Sequence, residues 1–383
     1  MSLIRNPIQD FGSCINCFPL WLIAPELLVW AIGMRRWLLF WWATQLAGFG
    51  EAPLPPARSE ASTTNRAPIT ITRQADATVA FAPQAPAMPA LVEAALRAHA
   101  GTNSAAAWHA WLSPKDVVGF KVTSAPGPVA GTRPALVRAL LESLIASGHP
   151  ARQIVIWDRR KADLADSGFT RLAEELGVRC IGLDTAGWDA TKAYESPVPG
   201  KLVYGDLEFG QTEPPTGTGG RLGRKSHVSR LLTQEITRII TVAPLLNHNH
   251  LGVHGHIANL GLGTVDNTLR FEDSSDRLAE ALPEICALDE IYPKFAICFT
   301  DALVCQYRGE ERSQLHYAVA LNELWVSTDP VALDVLALRE LASARERSPV
   351  DGEKPFKTEL YRNCELLELG VADEKRFDVR RNP

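Results

Sequence analysis

Four of the nine histidines fall within ten residues, Asn247-His248-Asn249-His250-Leu251-Gly252-Val253-His254-Gly255-His256. Imidazole titrates close to neutral pH and is the commonest protein metal ligand. An H-x-H spacing puts two rings on the same side of an extended segment. The pairs His248/His250 and His254/His256 could therefore supply three ligands to a divalent metal and leave a position for water. His248, His250 and His254 are the candidate ligands. The same rings, with Asn247 and Asn249 beside them, could instead bind an organic molecule and move its protons. A third reading has the imidazoles bonding loop carbonyls and only shaping a turn. The residues alone leave all three open.

Two further groups point to the same chemistry. Lys121 lies inside the apolar run Asp116–Thr123 (DVVGFKVT), where a charge is costly unless it reaches the strand end and finds a partner. There it could hold a carboxylate or phosphate, or it could snorkel to solvent. Asp158 closes the run QIVIW and could pair with Lys121, orient a histidine or bind a metal; it could equally be a turn residue. Arg270, with Asn267 nearby, could clamp an anion with its planar fork or pair with Asp266. Asp301, after KFAICF, invites the same argument, whereas Asp329 before Pro330 is explained as a helix cap. Leu260-Gly261-Leu262-Gly263 lacks a third glycine at dinucleotide spacing, so no nucleotide is inferred. The candidate catalytic set is thus Lys121, Asp158, His248 and His250, with Asn247, Asn249, Asn267 and Arg270 as ligand contacts.

These residues need a scaffold that gathers them. Asp116–Thr123, Gln153–Trp157 and Val178–Leu183 read as strands, separated by a helix from Arg133 to about Ser147, with Thr132 as cap, and another near Phe169–Leu176. Their strands are apolar throughout rather than alternating, which predicts a parallel sheet covered on both faces. Arg238–Val242, Lys294–Phe299 and Tyr317–Val326 continue the sheet, and Asp329-Pro330 opens a helix through about Leu341. Residues 186–232, with Pro197, Pro199 and the tract EPPTGTGG, break the rhythm and read as a β-rich insertion. Asn259–Arg270 reads as a glycine-rich loop. The expected architecture is one α/β domain over 67–383, with a mainly parallel central sheet. In such sheets ligands bind beyond the carboxyl ends of the strands, which is where Lys121, Asp158 and the histidine run would meet.

The ordered segments VVGFKVTS, TRPALVRALLESLIASG, QIVIWDR, ITRIITVAPLLNHNHLGVHGHIANLGLG, FAICFTDAL and WVSTDPVALDVLAL resemble the landmarks of the domain of unknown function 362 family over about 115–340. The loop after ITVAP and the STDPVALD segment are its more specific pieces. The resemblance implies an α/β fold and frequent export. Some members carry a ferredoxin-like cluster domain; this chain lacks the cysteines for one, so no iron–sulfur cluster is expected. Many members have a lysine shortly after the loop proline and another before its later asparagine. Here Asn247 and Ala258 stand at those places, so chemistry needing those amines is not carried over.

Composition narrows the partners. A formal net charge of −5 without a lysine/arginine-dense block excludes a counterion-displacing nucleic-acid binder. Met34-Arg35-Arg36, the apolar stretch Trp37–Gly50 and the small residues up to Ala52 have the layout of a signal peptide. Residues 1–52 are therefore read as an upstream extension plus export signal and 53–66 as a linker. A membrane contact would come only through an uncleaved N-terminal segment. The functional expectation is an exported protein, periplasmic or secreted. It would be an enzyme acting on a small anionic substrate, metal-assisted or not, or else a periplasmic metal- or small-molecule-binding protein without turnover. Intact mass of the natively expressed protein checks the first part: a mature start near Pro53 is expected, and retention of residues 18–34 in a membrane fraction contradicts it.

Overall fold

The computed structural model describes residues 66–201, 222–272, 274–310, 312–350 and 355–383. Residues 1–52, read above as an extension and export signal, and nearly all of the segment read as a linker lie outside them. So does the EPPTGTGG tract. Among the described residues no helix is long and apolar enough to cross a membrane.

The apolar runs become the centre of one sheet. Its strands are β1 (Ala67–Arg73), β4 (Val118–Val122), β5 (Ile154–Asp158), β6 (Arg179–Gly182), β9 (Arg238–His248), β11 (Phe295–Gln306), β12 (Ala318–Ser327) and β13 (Phe377–Asn382). Their order across the sheet is β13-β1-β12-β11-β9-β4-β5-β6, with β10 (Gly252–Val253) paired to β9 alone. β12 runs against both neighbours, and every other adjacent pair on this path is parallel. A short hairpin, β2 (Thr78–Val79) and β3 (Ala82–Pro83), precedes the helical layer. In the segment read as an insertion, β7 (Trp188–Lys201) pairs antiparallel with β8 (Leu222–Ser229), apart from the central sheet.

Alternation along buried strands builds two cores. Val118, Phe120, Val122, Ile154 and Ile156 face one side, where the helices Met88–Ala100, Pro134–Ala146 and Phe169–Leu176 pack. Val155, Trp157 and Ile239 face the other, under the helices His256–Thr264, Ser275–Cys286, Pro330–Glu346 and Glu359–Leu366. The expected α/β fold, with helices on both faces, is what the chain adopts. Lys121 belongs by parity to the second face, in register with Trp157 and Thr241.

Three local readings change. Asn259–Arg270 is not a loop: His256–Thr264 is a helix, and Leu269–Glu272 a short turn of one. Its glycines, which lower helix propensity, are there for close packing. A Cβ at Gly261 would lie 2.7 Å from the Leu282 side chain, and one at Gly263 would lie 2.3 Å from Lys121 Cε. The strand beginning at Arg238 does not stop at Val242 but runs to His248, so the first histidine is on the sheet. Thr132 does not cap the following helix. Its hydroxyl donates to Val242 O at 2.6 Å and accepts from Thr123 N, while the Arg133 N–H at the helix start is taken by Asp301. Asp301 also accepts from the Arg133 guanidinium at 2.9 Å, so the carboxylate is structural.

The helix His256–Thr264 is started by a carboxylate from another element. Asp334 accepts from His256 N at 2.7 Å and Ile257 N at 2.9 Å, two amides that a helix start leaves unpaired. Gly255 makes room for it: a Cβ there would stand 2.1 Å from Asp334 Oδ1. Gly255→Ala is therefore expected to displace the cap and lower unfolding free energy by about 1–3 kcal/mol. Leu366→Ala, at a side chain 79% exposed, should stay within about 0.5 kcal/mol. Urea denaturation compares them.

Candidate functional site

β4 and β5 deliver Lys121 and Asp158 to the same sheet edge. Lys121 is 1% exposed, and its ammonium has three acceptors: Asp158 Oδ1 at 2.6 Å, Asn259 Oδ1 at 2.6 Å and Val122 O at 2.8 Å. An ammonium carries three N–H donors, so the set is complete. Its stem lies against Trp157, with Nζ 5.4 Å from the ring centre. Asp158 Oδ2 accepts from the backbone N–H and hydroxyl of Ser124 at 2.7 and 2.6 Å, and Oδ1 also accepts from Arg159 N. Burial lowers the Lys121 pKa, opposed by Asp158 and reinforced by the charge of Arg159. For Asp158 burial acts upward, but the Lys121 charge and the bonds from Lys121 and Ser124 outweigh it and hold the carboxyl below its ordinary value.

The third acceptor comes from the helix that Asp334 starts. Asn259 lies on its first turn, and Gly263, one turn on, leaves the space that the lysine stem fills. The helix is thus shaped around Lys121, and its glycines could have been read as the mark of a close approach.

Above this pair opens a cleft of about 220 Å³, lined by Lys121, Thr123, Asp158, Arg159, Arg160, Asp163, His248, His254, Asn259 and Glu272 among others. Arg159 donates to Thr268 Oγ1 at 2.6 Å and to Glu272 at 3.3 Å, and Arg160 is exposed at the rim. A larger groove of about 600 Å³ runs beside Leu338, Arg345 and Phe356; its wall is mostly apolar, with Arg339, Arg345, Glu346 and Glu374 as its charged members.

The histidine run is a tight hairpin leading into the helix. β9 ends at His248, the chain turns, and β10 pairs back with Asn247 and His248. His248 Nδ1 accepts from His250 N at 3.1 Å and Leu251 N at 3.2 Å. The His254 ring packs edge-on against it, centres 4.5 Å apart. Burial, and to a smaller degree the proximity of His250, lower the His248 pKa to about 4; burial, then His248, push His254 well below its ordinary value. His256 is a core residue whose ring nitrogens lie 2.8 Å from the Thr241 hydroxyl and 3.0 Å from that of Thr300.

The domain of unknown function DUF362 matches residues 119–339, more than half of the chain. The chain belongs to that family. Among curated proteins none matches it. The DUF362 segment contains every residue of the cleft named above, from Lys121 to Glu272.

The sequence-predicted site residues separate into three groups. Lys121, Asp158, His248 and His254 line one cleft. His250 and Asn249 are exposed on the hairpin turn and are not among its lining residues; Asn247 is buried and accepts from Glu310 N at 3.0 Å, while Asn249 N donates to Glu310. Arg270 and Asn267 are buried against the β7–β8 hairpin instead. Arg270 stacks on Tyr194 and Phe271 and donates to Ser226 Oγ at 2.9 Å, and Asn267 donates to Lys225 O. Arg270 is therefore not among the lining residues of the Lys121 cleft. Among the described residues no three His, Cys, Asp or Glu side chains form a group that could hold a metal ion. The His250 ring centre lies 6.2 Å from that of His248, and the His250 amide donates to His248 Nδ1, which closes the turn. Asn259, Ser124, Arg159 and Glu272 were not singled out in the sequence.

Breaking a buried ion pair leaves an uncompensated charge, typically at 3–5 kcal/mol. Lys121→Met and Asp158→Asn should each destabilise by an amount of about that order, and the double variant by less than the sum of the two. Denaturant unfolding of all three variants checks this; additivity would contradict the pairing.

Proposed function

We propose that the Lys121 cleft binds a small anionic molecule and that the chain is an exported enzyme acting on it by proton transfer. The observation that carries the reading is the delivery of a buried lysine, its pKa lowered mainly by burial, to a cleft that also holds the low-pKa imidazole of His248. A buried amine with a lowered pKa gives up its proton more readily than an exposed lysine does. Asp158 and Asn259 orient it, and Arg160 at the rim supplies a positive charge for an incoming anion. The sequence support for export is the Arg35-Arg36 cluster ahead of the short apolar stretch Trp37–Gly50.

A second reading, ligand retention without turnover, is favoured by one specific feature: the three donors of Lys121 and both oxygens of Asp158 are already bonded. A binding protein needs no exchange among them. An enzyme would have to let a substrate replace Asn259 or Val122 as a partner of the amine.

Calorimetry with a panel of 2-oxo acids, dicarboxylates and phosphate monoesters separates these outcomes. Binding of at least one is expected, weakened about tenfold, or about 1.4 kcal/mol, by Arg160→Ala, which touches the rim and not the core. Conversion that Lys121→Met abolishes supports the enzyme; retention without any product supports the binding protein. Failure of every anion to bind contradicts both.

A further inference from the structure

The His248 ring has a fixed proton position. Its Nδ1 accepts two backbone N–H bonds, from His250 at 3.1 Å and Leu251 at 3.2 Å. A backbone amide only donates, so Nδ1 must present its lone pair. A neutral imidazole then carries its proton on Nε2. These bonds are local and unavoidable: the turn 249–251 between β9 and β10 folds its amides back over the last residue of β9. The ring is further held by the His254 ring in an edge-to-face contact, 4.5 Å between centres. His248 lines the cleft, and its hydrogen bonds among the described residues are both at Nδ1.

We infer that His248 is locked as an Nε2–H donor of the cleft, and that the ligand presents an oxygen acceptor to it, a carbonyl or carboxylate oxygen. This deepens the reading of an anionic ligand at the Lys121 cleft and rests on it for the ligand alone. The assignment changes the role of His248 from the sequence expectation. A metal ion would need the Nε2 lone pair, which is occupied by the proton, and a general base would need the same lone pair. A neutral imidazole N–H instead polarises an oxygen where negative charge gathers, without giving up its proton. Lys121, on the same cleft, is then the group left to exchange protons.

The test uses the full chain with 15N-labelled histidine at pH 7, the His248 signals assigned by their loss in His248→Ala. Long-range proton–nitrogen spectra are expected to show an unprotonated Nδ1 and a protonated Nε2, and equimolar zinc chloride is expected to move neither. An Nδ1–H tautomer, an imidazolium, or a zinc-shifted Nε2 would overturn the donor assignment. The ligand arm uses oxalate as probe. His248→Gln, which retains a side-chain N–H, should hold oxalate within about threefold of wild type, while His248→Ala should lose about tenfold, roughly 1.4 kcal/mol. Equal binding by both variants would overturn the role of the donor in recognition. The tautomer is read without any ligand, so absence of oxalate binding to the wild-type chain would count against the anionic reading while the nitrogen signals still decide the donor.

Discussion

A lysine ammonium inside a sheet face is costly unless every one of its donors is met, and this requirement organises the surrounding structure. Lys121 could not be placed on β4 without a carboxylate on the neighbouring strand, and Asp158 is there because β5 is parallel and in register, with Lys121 opposite Trp157 and the aspartate one residue on. With Val122 O as a second acceptor, the third has to come from above the sheet. Asn259 provides it, and the helix that carries it needs glycine at 263 to clear the lysine stem. That helix in turn needs a start, which Asp334 supplies across a gap kept open by Gly255. One buried charge thus accounts for two aspartates, an asparagine and two glycines spread between residues 158 and 334.

What was legible in the sequence follows from the same physics. The strands β4 and β5 and the helix Phe169–Leu176 were readable because burial writes apolar runs and their stops are glycines and polar turns. Lys121 and Asp158 were readable because each violates or ends such a run. Asn259 was not, because an acceptor for a distant ammonium leaves no local periodic mark. The His256–Thr264 helix was hidden by its glycines, whose usual meaning is a loop; here they mark close approach to Lys121 and Leu282. Arg270 and Asn267 looked like ligand groups because their partners, Ser226 and the β8 backbone, lie some forty residues away.

The histidine run shows how density of one residue type can mislead about role. Its members divide among a cleft wall, an exposed turn and a buried core position bonded to two threonines. The hairpin brings the His254 ring closer to His248 than the H-x-H partner His250, with centres at 4.5 Å against 6.2 Å, because β9 ends at His248 and the chain reverses immediately. What the cleft retains is a pair of packed imidazoles facing a buried lysine. That combination suits hydrogen bonding and proton exchange with an oxygen-bearing anion.

The state of the Lys121 amine is therefore the quantity to measure. Nitrogen-detected NMR of 15N-lysine-labelled protein, titrated with pH, reads its ionisation directly. The account predicts a midpoint below that of an exposed lysine, a further fall in Asp158→Asn where the attraction of the carboxylate is lost, and a rise when an anion occupies the cleft. A Lys121 signal that titrates like a surface lysine and ignores the Asp158 substitution would contradict it.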